Sequence, residues 1–171
     1  KIGTGVMSGE TIKPGPMDFT HRNAVSLVDL QNAMIMLTRP DIDLGLPGFT
    51  LDESDRQRML AAMEEFPRQS RNPVYTDPHL TDEYCKFFLP GLRAWRPGHH
   101  LRVLNKVGQA YGFTTDNAYV EDADTGEAFF LAATIYTNDD GVFNDDKYEY
   151  TTVAEPFMAD LAHAVAAHWF Q

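Results

Sequence analysis

Three runs decide the fold of this chain: Leu101-Arg-Val-Leu-Asn-Lys106, Phe113-Thr-Thr-Asp-Asn-Ala-Tyr-Val120 and Ala128-Phe-Phe-Leu-Ala-Ala-Thr-Ile-Tyr-Thr137. Each is rich in β-branched or aromatic residues and short enough to be a single strand. Between the last two stands Asp122-Ala-Asp-Thr-Gly126, where Asp and Gly tolerate the positive φ that tight hairpins demand. Consecutive strands joined this way form an antiparallel meander.

Upstream, the apolar period becomes helical. Ser26-x-x-Asp29 resembles a capping box and is followed by Leu27, Leu30, Met34 and Leu37 at helical spacing, with Pro40 just past the end. Thr50 and Glu53 read as a second capping box, ahead of the stripe Met59, Leu60, Met63 and Phe66 and the stop at Pro67. Both stripes are expected to pack into the core. Residues 67–80 hold Pro67, Pro73 and Pro78 and read as an extended connection. Thr81-x-x-Tyr84 with Phe87, Phe88 and Leu89 reads as a short helix closed by Pro90-Gly91. At the other end, Thr152 and Glu155 form a capping box for a helix carrying Pro156 in its first turn and Phe157, Leu161, Val165 and His168 on its apolar stripe. Residues 1–24, with Gly3, Gly5, Gly9, Pro14, Gly15 and Pro16, read as an irregular arm or loop. Helices, then a meander, then a helix make an α+β fold with an antiparallel sheet.

Composition bounds the function. The chain has 171 residues, 43% of them hydrophobic, which fits one globular domain and argues against disorder. Its 25 acidic and 14 basic residues give 14 − 25 = −11. That charge argues against a nucleic-acid partner, because phosphate binding needs clustered Lys and Arg. No apolar run approaches the roughly 18 residues that span a bilayer. The single cysteine, Cys85, excludes an internal disulfide framework and a cysteine-based zinc site. No targeting signal follows Lys1, and such a start suggests a processed protein or a piece of a longer one.

Three clusters carry candidate chemistry. The acidic loop Asn138, Asp139, Asp140, Gly141, Asn144, Asp145 and Asp146 invites a calcium reading. Aligning Gly141 with the EF-hand glycine, however, puts Tyr136 where a carboxylate is needed, which favours a solvated turn. His99 and His100 are adjacent, so an extended backbone points them to opposite sides, whereas a helical zinc pair needs i, i+4 spacing; no metal is expected. Arg93, Arg96, His99, His100, Arg102 and Lys106 form the only basic concentration. On a strand, Arg102, Leu104 and Lys106 share one face, either a charge-balanced surface or a face that holds an anion next to Gly108.

Asn105-Lys106-Val107-Gly108, then Gly112, Asp116, Ala118 and Val120, then a strand ending in Ile135-Tyr136-Thr137, resembles the later part of a class A serine β-lactamase. That family carries Lys-Thr-Gly or Lys-Ser-Gly on an inner strand, then a Gly-rich turn, an outer strand and a similar Ile-Tyr-Thr run. Asn23–Leu30 resembles its helix start after the omega loop, Asp55–Glu64 its next helix, and Ala154–Trp169 its C-terminal helix with a His-Trp ending. The resemblance covers residues 22–171 in order. It implies an arm over residues 1–24 and, over 25–171, the C-terminal portion of a β-lactamase-like domain. The implied architecture is an antiparallel sheet with a packed C-terminal helix plus the helices of a partial helical domain. The implied reaction opens a β-lactam amide through a serine acyl-enzyme, without metal or organic cofactor, in the bacterial periplasm or outside the cell.

Carried over by position, Lys106 is the family's lysine beside the active-site serine, where its ammonium favours the substrate carboxylate. Gly108 lets substrate approach the strand edge. Gln109 stands where the family's backbone hydrogen-bonds the substrate amide. Val107 departs from the pattern, since valine lacks the hydroxyl that helps hold the carboxylate. The nucleophile motif Ser-x-x-Lys is missing: Ser8, Ser26, Ser54 and Ser70 precede Thr11, Asp29, Gln57 and Pro73 by three places. Ser-Asp-Asn is missing too, and the neighbours of Glu10 do not match those of the family's deacylating glutamate. The chain supplies one wall of such a site, and the nucleophile is expected outside it.

The family's sheet has five strands. The run Ala128–Tyr136 is therefore expected to pair with something outside this sequence, a missing N-terminal half or a second copy. Expected ligands are a β-lactam or a cell-wall peptide. Two alternatives stand: a non-catalytic descendant that binds a peptide or cell-wall fragment through Arg102 and Lys106, or part of a D-Ala-D-Ala peptidase.

Overall fold

The computed structural model describes residues 1–170. Along the chain run β1 (Gly5–Ser8), β2 (Thr11–Pro14), α1 (Leu27–Thr38), α2 (Glu53–Glu64), α3 (Leu89–Trp95), β3 (Leu101–Ala110), β4 (Phe113–Asp122), β5 (Ala128–Tyr136), β6 (Val142–Phe143) and α4 (Glu155–Trp169). The α+β class and the meander stand: β3, β4 and β5 form one antiparallel sheet in that order. β3 reaches Ala110, beyond the Lys106 expected, because Tyr111 and Gly112 turn the chain at φ 56° and 78°, the geometry of a two-residue hairpin loop.

Strand alternation gives the sheet two different faces. Val103, Ala118, Val120 and Ala133 point to one side, where Phe88, Leu89 and Leu92 from the start of α3 and the residue before it, and Met158, Ala162 and Ala166 from α4, complete a single core. Phe88, Leu89 and Leu92 are at most 1% exposed, and burial of each contributes about 1.5–3 kcal/mol. The opposite face carries Leu104, Lys106, Asn117, Tyr119 and Phe130; α1 lies over β4 and β5, and α2 over β3.

Ser26 caps α1 as its spacing implies: its Oγ accepts from Asp29 N at 3.0 Å and donates to Asp29 Oδ2 at 2.7 Å. Several other expectations need correction. The cap of α2 is Asp52, which accepts from Asp55 N at 2.8 Å, and not Thr50. Nor does α2 bury its stripe: none of its residues is buried, and Met59 is 44% exposed. Pro90 does not close a helix but sits in the first turn of α3, where it costs no hydrogen bond and its φ is already helical. Gly91 is there because α4 comes so close that a Cβ would lie 1.8 Å from Ala159 O.

That close approach also rotates the buried face of α4. It presents Ala154, Met158, Ala162 and Ala166, mostly small residues, while Phe157 and His168 are exposed. Thr152 makes no cap either, since a π-helical turn over Tyr150–Ala154 leads straight into α4. The first 24 residues are not an irregular arm: β1 and β2 form a hairpin, and β1 pairs in parallel with β6. Phe143 of β6 is completely buried, and Gly3 lies so close to its ring that a Cβ would meet it at 2.4 Å.

β5 is the outermost strand of its sheet, and among the described residues its outer edge pairs with nothing. It is half-buried along most of its length, with Ala133 in the core and Phe130 against Tyr119 at 5.1 Å between ring centroids.

Candidate functional site

The four residues singled out by their sequence fall on the other outer strand, β3, and divide between its faces. Lys106 and Gly108 lie on the side of α1 and α2, whereas Val107 and Gln109 point towards α4. Lys106 is exposed, and its Nζ donates to the carbonyl of Val107 at 2.7 Å. It lines the mouth of an apolar cleft of about 360 Å³ between α1, α2 and the sheet, together with Leu30, Met34, Met63 and Asn117. Asn117, directly across the ladder from Lys106, is buried; its Nδ2 donates to Leu30 O at 2.8 Å and its Oδ1 has no partner.

Gly108 is exposed with open space where a Cβ would stand. The half-buried Val107 side chain packs against the core, which accounts for an apolar residue at that position. Gln109 is exposed; its Nε2 donates to Glu155 Oε1 at 3.3 Å and Thr114 Oγ1 at 3.4 Å. The main chain of β3 matters more. The carbonyls of Val103 and Val107 accept from lysine side chains and therefore point away from β4. Alternate residues of an antiparallel strand share that orientation, so the backbone of Gln109 faces the same free edge.

The basic concentration is largely neutralised. Arg93 pairs with Asp82 and Glu83, Arg96 with Asp122 and Glu127, and Arg102 bridges Glu64 at 2.9 Å and Glu121 at 2.6 Å. The charge-balanced reading therefore describes Arg102, whose pKa is raised chiefly by its hydrogen bonds to Glu64. Lys106 has no carboxylate within 4.0 Å among the described residues. His99 Nδ1 lies 2.8 Å from Asp122 Oδ2, and His99, Asp122 and Asp124 bring ligand atoms within 4.8 Å of one another. Arg96 already occupies Asp122 there, so the group ties the end of α3 to the β4–β5 turn. Burial raises the Asp122 pKa, but hydrogen bonds from Arg96 and His99 outweigh it and bring the carboxyl down to about 2. Among the described residues, the acidic loop over 138–146 gathers no comparable trio.

Behind Lys106 lies a buried polar network that sequence reasoning missed. Lys86 is 1% exposed, and its three N–H groups go to Met63 O at 2.7 Å, Val103 O at 2.8 Å and Asn105 Oδ1 at 2.9 Å. Asn105 Nδ2 donates in turn to Cys85 O and to Asp116 Oδ1, and Phe88 N donates to Asp116 Oδ2. Burial lowers the pKa of Lys86 and pushes that of Asp116 up to about 6. One signal was available: Asn105 and Asp116 are polar at strand positions whose neighbours two residues away, Val103, Val107, Ala118 and Thr114, point inward.

No family model, no curated protein and no solved structure matches this chain. Among the described residues, no helix is long and apolar enough to cross a membrane.

Proposed function

We propose that this chain is the later part of a serine β-lactamase-like hydrolase of the periplasm or cell exterior, with the nucleophile supplied by residues outside this sequence. One observation carries the reading: Lys106, Gly108 and the outward backbone of Gln109 lie together on the open edge of β3, beside a cleft. In the proposed reaction the Lys106 ammonium pairs with the substrate carboxylate. Gly108 leaves room along the strand, and the Gln109 backbone hydrogen-bonds the substrate amide. A serine oxygen attacks the lactam carbonyl, the C–N bond breaks and the nitrogen takes a proton. Water then cleaves the resulting ester. Because Val107 faces the core, the carboxylate is held by Lys106 without a neighbouring hydroxyl.

The free edge of β5 supports a sheet completed from elsewhere, by a missing N-terminal segment or by a second copy. Binding of a peptide through Arg102 and Lys106 together has less support, because Glu64 and Glu121 already hold Arg102. The test is hydrolysis of a chromogenic cephalosporin by the polypeptide that contains this chain and its preceding coding sequence. A charge-assisted contact is worth about 1.5–3 kcal/mol, so Lys106→Ala is expected to lower kcat/KM at least roughly tenfold. Equal rates, or an upstream sequence without Ser-x-x-Lys, would overturn the proposal. Trapping with a labelled penicillin separates fast hydrolysis from the slow acylation of a D-Ala-D-Ala peptidase.

A further inference from the structure

A separate pocket of about 440 Å³ stands at the β3–β4 hairpin end, lined by Gln109, Tyr111, Asn144, Asp146, Tyr148 and Tyr150. The rings of Tyr148 and Tyr150 pack with centroids 5.2 Å apart. Both are anchored at their tips: Tyr148 Oη accepts from Asn144 N and Tyr150 Oη from Gly112 N, each at 2.8 Å. Tyr111 is held from behind by Phe19, 5.7 Å away edge-on. The walls are therefore fixed aromatic rings.

Tyr111, Asn144 and Asp146 have φ of 56°, 62° and 60°, and among the described residues they are the three non-glycine residues with positive φ. All three line this pocket. Tyr111 takes this conformation as part of the hairpin turn, and Asn and Asp enter it readily, so the three fix the backbone at the pocket. Asp146 is exposed, and among the described residues no basic side chain lies within 4.0 Å of its carboxylate; Lys147 reaches Asp145 instead, at 3.9 Å.

We propose that this pocket binds a small alkylammonium ion. Ring faces attract a cation through their quadrupole, and an adjacent unpaired carboxylate adds direct attraction. The net charge of −11 favours the same sign of ligand. Binding needs no nucleophile, so it stands or falls apart from the hydrolase reading.

The probe is choline, titrated at constant ionic strength against its neutral isostere 3,3-dimethylbutan-1-ol, with tyrosine ring resonances as the readout. Choline should shift the signals of Tyr111, Tyr148 and Tyr150 saturably, and the alcohol should not. Asp146→Asn keeps the size of the side chain, and asparagine accepts positive φ; it should weaken choline binding about fivefold or more. No saturable shift, equal binding of the alcohol, or undiminished binding by Asp146→Asn would each overturn the proposal.

Discussion

Lys86 Nζ donates to Asn105 Oδ1 at 2.9 Å, and the same amide turns its Nδ2 to Asp116 Oδ1, also at 2.9 Å. One side chain thus relays between a buried ammonium and a buried carboxylate, and it sits immediately before Lys106 on β3. Through Met63 O and Val103 O the lysine also fastens the end of α2 to the edge of the sheet. With the Arg102–Glu64 ion pair, it ties to the sheet a helix that buries none of its own residues.

Lys86→Met keeps much of the volume but removes all three donors. Three oxygens then lose their partner, and the Asn105 amide that bonds Asp116 loses its anchor. Leaving a buried hydrogen-bonding group without its partner costs about 1–3 kcal/mol. Urea unfolding of the variant should show a loss of that order, and a loss below about 1 kcal/mol would mean that the network contributes little.

Asp116 gives a pH dependence with a definite sign. Burial pushes its carboxyl up to about 6 in the folded chain from the 3.8 of a free carboxyl, so between those limits the folded state binds more protons than the unfolded one. Stability from this group is therefore full below 3.8 and is lost as pH rises through 6. The shift corresponds to about 3 kcal/mol. Asp116→Asn removes the titration, so the stability of the parent relative to the variant should fall by that order across this window. A gap that stays flat from pH 3 to 7, or that widens in favour of the parent, would contradict the assignment. Asp122 acts oppositely: its carboxyl at about 2 contributes stability above 3.8 that is lost as pH falls.

The edge of β5 should make the chain associate. Phe129 to Tyr136 carry no charge, and an uncharged, unpaired edge templates further pairing. Sedimentation velocity should show concentration-dependent association, and Thr134→Lys, at an exposed position, should suppress it. A chain that stays monomeric at high concentration would remove the second copy as the partner of this strand.

How much of this was legible depended on how local the cause was. The Ser26 cap needs only a side chain three residues from the amide it accepts, and the sequence spelled it out. The same holds for the Asp122–Gly126 turn. Pro90-Gly91 misled because the pair is equally suited to ending a helix and to starting one. What chose was the approach of α4 at Ala159, far along the chain. In the candidate site, the shared face of Arg102 and Lys106 followed from alternation alone. That Arg102 is neutralised and Lys106 is not required the positions of Glu64 and Glu121.

By itself, then, the sequence determined the three strands, the turn at Asp122–Gly126, the cap of α1 and the shared face of Arg102 and Lys106, because periodicity and turn chemistry act over a few residues. Only the tertiary structure decided that the N-terminal hairpin pairs with β6, that α4 buries its small residues, and that Lys86 finds Asn105. Each of these joins distant parts of the chain, and it is the packing of one surface on another that selects among local patterns of nearly equal energy.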